Sequence, residues 1–391
     1  MPPPLTGLRV LDLSRQLPGP FCSTLLADLG ADVLLVTAPG DPFGVGIPFL
    51  ARNKRSLILD LKCAAGREVF GRLVARADVL LEGFRPGVTA RLGIDYPTLR
   101  ARNPRLVYCS ITGYGQDGPY RDRVGHDINY LAQAGVLEYI GEPGRPPVIP
   151  GVQIADLGGG ALMALGGILA ALLARERTGE GQHVDIAMLD GAFAWNAYQL
   201  LLAQLGQGPP ARGTAQVTGG WPCYAVYETR DGRHLTIGAY EPHFWATLCR
   251  HFGREDLIAQ QWAEGAARDE AFAFFRATFR QKTLAEWTAE LAPLEICFAP
   301  VLTVAEALAD PQLRHRGMVV EMAGQTMPGV PIKLSATPAE VRTPPPAPGE
   351  HTEQVLIELG FDAAAIAALR AAGAIGPPPQ PGPENTARRR A

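Results

Sequence analysis

The sequence predicts an α/β protein in two parts: a large domain built on a doubly wound, mostly parallel sheet of the Rossmann type, and a smaller α+β domain. Three observations carry this expectation. Short apolar runs alternate with helical segments from residue 5 to about 190, a Gly/Pro/Thr-rich stretch interrupts them near residue 208, and a hairpin pattern follows.

The first run, "LRVLDL", reads as a strand, "PFCSTLLADLG" as a helix stopped by Gly30, and "DVLLVT" as the next strand, which together make a βαβ unit. "SLILDL", the helical "AAGREVFGRLVARA", "DVLLEGF", "GVTARLG" and "RLVYCSITGYG" continue the alternation. Past the Gly/Pro/Thr stretch, "YAVYET", the turn "RDGR" and "HLTIGAY" form the hairpin, and helices run on to about residue 310. The Pro-rich "RTPPPAPGEHT" then leads to "EQVLIELG", a helix expected to return to the first domain. The resulting division is a large ligand-binding domain over 1–200, a linker over 201–220 and the small domain over 221–325. A return linker with C-terminal helices covers 326–375, and a disordered tail 376–391.

Composition narrows the function classes. With 36 Lys+Arg against 39 Asp+Glu and a net charge of −3, the chain of 391 residues has no global basic field for nucleic acid or an anionic membrane, so neither is expected as a partner. The six cysteines are scattered with no C-x-x-C pair, and the seven histidines show no H-E-x-x-H, so no metal site is expected. The uncharged run Leu157 to Ala174 just reaches the ~18 residues of a membrane span. Its Gly and Ala content and the strand-like "HVDIAML" after it favour a buried helix. No phosphate loop and no G-x-G-x-x-G after the first strand is present, which argues against nucleotide hydrolysis and hydride transfer. A cytoplasmic location is the expectation, from a start with no basic-then-apolar signal and an end without S-K-L.

Two residues stand out chemically. His126 and Asp127 head the helix-like "GHDINYLAQAG", and Asp156 precedes "LGGGALMALGG", where a helix start would supply backbone N–H groups and the positive end of a dipole to keep it ionised. Taken singly, Asp156 reads as an N-cap, His126 as a loop histidine and Glu241 as a surface carboxylate at a helix start. Lys54, Arg55, Lys62, Arg85 and Arg91 follow strands or begin helices, where α/β folds hold ligands, although a "KR" pair is most often a solvated charge run.

Together, the words "LDLSRQLPGPFCSTLLADLGADV", "ARNKRSLILDLK", "LLEGFRPGV", "LVYCSITGYGQDGPY", "GHDINYLAQAG" and "ADLGGGALMALGGILAALLARERTGEGQHVDIAMLDGA" closely resemble the class III coenzyme A-transferase superfamily, over roughly Leu5 to Gly360. The histidine of "GHDINY" and the "EP" of "GAYEPHFW" resemble its α-methylacyl-CoA racemase branch. The resemblance implies an isomerase acting on an acyl-CoA, with no cofactor beyond the coenzyme A of the substrate, and an interlocked homodimer. It implies catalytic roles for His126, Asp156 and Glu241, the last hydrogen-bonded to His126. Contacts to coenzyme A fall to Arg55, Lys62, Gly83, Arg85, Arg91, Gly125 and Asp127. "LLVTAPGDP" departs from the family's usual charged word, since Thr37 and Ala38 stand where an adenine or phosphate contact is common.

Racemisation next to a thioester suits these residue types. A weakly acidic α-proton needs a base on one face, an acid on the other and donors for the enolate oxygen, expected from backbone near Asp127 or the Asp156 helix start. The alternative is a coenzyme A-transferase in which Asp156 attacks the acyl-CoA and becomes an aspartyl-CoA thioester.

Overall fold

Parallel sheets are covered on both faces, so their strands are apolar nearly throughout. The computed structural model, which describes residues 1–41, 46–205 and 211–376, pairs six such runs. They are β1 (Arg9–Asp12), β2 (Asp32–Thr37), β3 (Lys54–Ile58), β4 (Val79–Glu82), β5 (Val107–Thr112) and β6 (His183–Ala187). β4 and β5 are buried along their whole length, while β6, at one edge, alternates with exposed positions. All neighbours pair in parallel, in the order β3-β2-β1-β4-β5-β6. The expected doubly wound sheet is thus present. Its winding reverses between β1 and β4, and the carboxyl ends of those strands open the crevice where such sheets receive ligands.

The crossovers are helical: α1 (Pro18–Asp28) after β1, α2 (Ala64–Val74) after β3, then α3 (Val88–Leu92) and α4 (Tyr96–Arg102) after β4. Beyond β5 come α5 (Asp127–Gln133) and a π-helix, Ala155–Leu162, that runs directly into α6 (Met163–Thr178); α7 (Met188–Ala194) follows β6. Ala155–Thr178 is long and apolar enough to cross a membrane, yet Ala164, Leu165, Ile168 and Ala171 are buried and it packs on β5 and β6.

Small residues set how closely this helix meets α7. A Cβ on Gly159 would stand 2.7 Å from the Met188 carbonyl oxygen and 2.9 Å from the Ala192 nitrogen, both backbone atoms that cannot rotate away. Gly159→Ala is therefore expected to destabilise the fold by roughly 1–3 kcal/mol, read as a lower urea midpoint at unchanged m.

Two compact units divide the chain. The first comprises Met1–Ala134, Val152–Ala194 and Gln312–Ala391, the second Gly135–Gly151 and Trp195–Pro311. Residues 135–151, placed with the large domain by sequence, group with the second unit because Arg212 holds them: its Nε donates to the Glu138 carbonyl at 2.9 Å, its Nη2 to the Glu138 carboxylate at 2.9 Å and its Nη1 to the Arg145 carbonyl. In the second unit β7 (Tyr224–Glu228), β8 (His234–Gly238) and β9 (Phe298–Pro300) form an antiparallel sheet in that order, over a core that includes Tyr227, Trp245, Phe275, Phe279 and Trp287. The hairpin β10 (Val319–Met322) and β11 (Gln325–Pro328) belongs to the first unit, where Arg52 donates to the Pro328 carbonyl. Helices Thr352–Glu358 and Ala363–Ala371 place Val355, Leu356, Ile366 and Leu369 in the first unit's core. Within the expected linker 201–220, residues 206–210 lie outside the described residues, as does all but Gly376 of the expected tail.

Candidate active site

A cavity of about 670 Å³ opens at the carboxyl ends of β1, β4 and β5. Its wall is built from Ser14, Arg15 and Gln16 after β1, the Gly83–Arg85 turn after β4, Thr112–Tyr114 after β5, and the segment Arg121 to Tyr130 that enters α5. Of the residues named from sequence, the structure brings Gly83, Arg85, Gly125 and His126 to it.

His126 stands at the N-cap of α5 with extended backbone, and its N–H donates to Asn129 Oδ1 at 3.0 Å. Its ring lines the cavity, within a capping box that it shares with Asn129. Asp127 turns the other way. Its Oδ1 accepts the N–H of Ala155 at 2.7 Å and of Asp156 at 3.0 Å, so it caps the π-helix from outside and fixes the backbone of Asp156 beside α5. Asp156 is therefore inside the helix rather than its N-cap, and the donors expected for an enolate at this helix start are already occupied.

Burial, then the charge of Asp127, push the Asp156 carboxyl up to about 6, while His126 pulls the other way. The helix dipole does not prevail against desolvation at a half-buried site. Tyr130, whose hydroxyl donates to the Gly125 carbonyl at 2.5 Å, is pushed up to about 12 by burial and by Asp156, which places both groups in one electrostatic neighbourhood. Asp156 is thus tied to the cavity through His126, Asp127 and Tyr130.

Cations line the same wall. Arg15, Arg85, Arg121 and Arg123 reach the cavity. Arg91, at the end of α3, and Arg121 converge on Gly87, where a Cβ would stand 3.7 Å from a guanidinium nitrogen of each. Lys62 lies exposed past the carboxyl end of β3, its N–H bonded to Asp60 Oδ1 at 2.9 Å. Arg55 is not brought to this cavity: Asp32 holds its guanidinium at 3.0 and 2.7 Å and Glu358 at 2.8 Å. Glu241 lies in the second unit, exposed at the N-cap of the helix Pro242–His251, where its carbonyl accepts the Trp245 N–H at 3.2 Å and its side chain makes no cap bond.

Three further residues were not singled out from sequence. Arg121 and Arg123 precede His126 closely enough that a basic doublet ahead of a Gly-His pair was the available signal. Gln16 takes a left-handed backbone, φ 65°, that a non-glycine residue adopts only when its surroundings impose it. The imposing structure is a buried network. Lys54 Nζ contacts Asp12 at 3.3 Å, Ser23 Oγ at 2.6 Å and the Pro20 carbonyl at 3.1 Å, and Asp12 accepts the Ser14 N–H at 2.9 Å and both serine hydroxyls. Lys54, a candidate cation from sequence, is 4% exposed and serves the loop rather than the cavity.

The pattern of CoA-transferase family III matches residues 5–352. An α-methylacyl-CoA racemase of Mus musculus is 41% identical over 361 residues, covering 91% of this chain and 93% of that protein. A succinate–glutarate CoA-transferase of Agrobacterium fabrum is 36% identical over 388 residues, covering 91% and 96%. Among solved structures, a CaiB/BaiF family protein from Brucella suis superposes with a TM-score of 0.80 at 32% identity, covering 92% of this chain and all of that one.

Proposed function

We propose, from the premise that the chain belongs to CoA-transferase family III, that it is a racemase inverting the 2-methyl centre of an acyl-CoA thioester. The observation that carries this reading is the joint placement of His126 and Asp156. Asp127 locks the Asp156 backbone beside the residue that follows His126, and the carboxyl it holds is raised to about 6. A histidine paired with a carboxyl whose hold on a proton is strengthened can exchange roles with it as base and acid, which a reaction running in both directions requires.

The active pair carries one proton. With it on His126, Asp156 removes the α-proton and His126 delivers its own to the opposite face; with it on Asp156, the roles reverse. The thioester's coenzyme A is the only coenzyme in this scheme. Arg85, Arg121 and Arg123 suit its phosphates, and guanidinium groups bind phosphate through two parallel hydrogen bonds. Glu241 fits the role of orienting His126 of a second copy of the chain. Large apolar side chains left exposed, Phe193, Trp195 and Leu201 among them, support an assembly of two chains.

The coenzyme A-transferase reading keeps Asp156 as a nucleophile and has the 36% identical transferase in its favour. One experiment separates the two. A single enantiomer of a 2-methylacyl-CoA is incubated in heavy water without an acceptor acid, and the α-carbon is followed by NMR. Deuterium entry with loss of optical purity is the expected result, along a bell-shaped pH profile whose acid limb falls near 6 as Asp156 takes up the second proton of the pair. Absence of exchange, with coenzyme A moving only once a free carboxylic acid is added, would hand the site to the transferase.

A further inference from the structure

Glu82 ends β4 directly beside the Gly83–Arg85 turn of the cavity wall and is 2% exposed. Its Oε2 accepts the Phe84 N–H at 2.7 Å, so the carboxylate fixes the backbone from which Arg85 leaves. On its other side Glu82 pairs in register with Ser110 of β5, whose Oγ lies 3.0 Å from Nε2 of His183, an exposed residue of the edge strand β6. Tyr96 stacks on the His183 ring at 5.4 Å and Tyr108 meets it edge-on at 5.4 Å. Glu82, Ser110 and His183 therefore stand on three neighbouring strands.

We propose that Glu82 is a positioning residue for the coenzyme A portion of the substrate: ionised, it holds the Gly83–Arg85 turn by the Phe84 N–H and keeps Arg85 in place for phosphate, and protonated it lets the turn loosen. This rests on the reading of the cavity as the coenzyme A site. A bond to an ionised acceptor is roughly twice as strong as its neutral counterpart, so the proton state of Glu82 sets how firmly the turn is held.

Burial pushes the Glu82 carboxyl up to about 7, against the lowering influence of Ser110 and the Phe84 bond, and Asp185 of β6 adds to the rise. The other groups facing it do not compete. Burial pushes Tyr108 and Cys109 of β5 above their ordinary values, so they stay neutral, and it draws His183 down. On the β1 side Asp12 has its own ammonium partner, Lys54.

Calorimetric titration with coenzyme A itself, at constant ionic strength between pH 6 and 8, tests this without any assumption about the reaction. Glu82→Gln retains an oxygen for the Phe84 N–H and cannot ionise. The ratio of its Kd to that of the wild type is expected near one at pH 6 and up to about tenfold at pH 8, the most that one linked proton supplies over one pH unit. The ligand's own 3′-phosphate, titrating near ~6, affects both proteins alike and cancels in the ratio. Ser110→Ala removes the lowering influence of that residue, so its binding midpoint is expected at higher pH; it keeps the proposal testable should the glutamine variant fail to fold. A Kd ratio constant across the range, or a midpoint unmoved in Ser110→Ala, overturns the proposal and leaves the cavity reading intact. Wild-type protein that binds no coenzyme A at pH 8 overturns both.

Discussion

With His126 replaced by alanine, deuterium entry at the α-carbon is expected to fall by about 10²- to 10⁴-fold, the usual contribution of one positioned acid or base. The loss is expected to be chemical rather than structural. The bonds by which Asp127 secures Ala155 and Asp156 run through the neighbouring residue, and the variant gives up only the His126 side of its capping box with Asn129. Thermal unfolding should therefore shift by about 1 kcal/mol, the usual cost of a lost N-cap side chain. Removing His126 also removes the influence that lowers the Asp156 carboxyl, so the acid limb of any residual activity is expected to move to higher pH. Transfer of coenzyme A to an acceptor acid, if the chain performs it, should persist in this variant, since attack by Asp156 needs no base at position 126. Exchange surviving within tenfold of the wild type would remove His126 from the mechanism.

Lys54→Met is expected to give the largest loss of stability, about 3–5 kcal/mol, because it leaves the carboxylate of Asp12 buried without its cation. Both partners are inaccessible, with side-chain exposures of 1% and 0%. Asp12→Asn alone should be comparably harmful, since it strands a buried ammonium whose pKa burial already draws down. The double variant is expected to recover part of the loss, and that non-additivity in denaturant unfolding is the measurement. A simple sum of the two single losses would show that the pair does not act as a unit. The effect should also reach the cavity: Asp12 holds the Ser14 N–H, and Ser14, Arg15 and Gln16 form one wall. Lys54→Met is thus expected to raise KM for the acyl-CoA under conditions where the variant remains folded.

These expectations show where local sequence suffices and where it does not. The doubly wound sheet was legible because "RVLD", "DVLLVT" and "VYCSIT" carry in their own composition the burial on both faces that a parallel sheet demands. A motif singled out His126, which lines the cavity, whereas Asp127, expected at coenzyme A, caps the π-helix, a partner 28 residues on that its own neighbours do not announce. Lys54 was not legible. Beside Arg55 it reads as a charge run, and the partner that buries it lies 42 residues away in β1. The upward shift of the Asp156 carboxyl was not legible for a related reason, since a helix dipole is a local property whereas burial and the Asp127 charge arise only when α5 packs on the π-helix. Residues 141–151 carry no apolar period, so nothing in them tells which unit they join. Arg55 looked available because the carboxylates that hold it, Asp32 and Glu358, come from a neighbouring strand and a helix some three hundred residues on.

The π-helix at Ala155–Leu162 makes helical winding itself a determinant of the site. Such a stretch holds more residues per turn than the α-helix that continues it, so it behaves as an insertion that the helix absorbed without bulging out. Wound as an α-helix instead, the same residues would turn further about the axis, and the part before Met163 would rotate relative to the helix that follows. Asp156 would swing away from Asp127 and His126 even though every side chain were unchanged. The winding between Asp156 and Met163 therefore decides which side chains face the site, independently of residue identity.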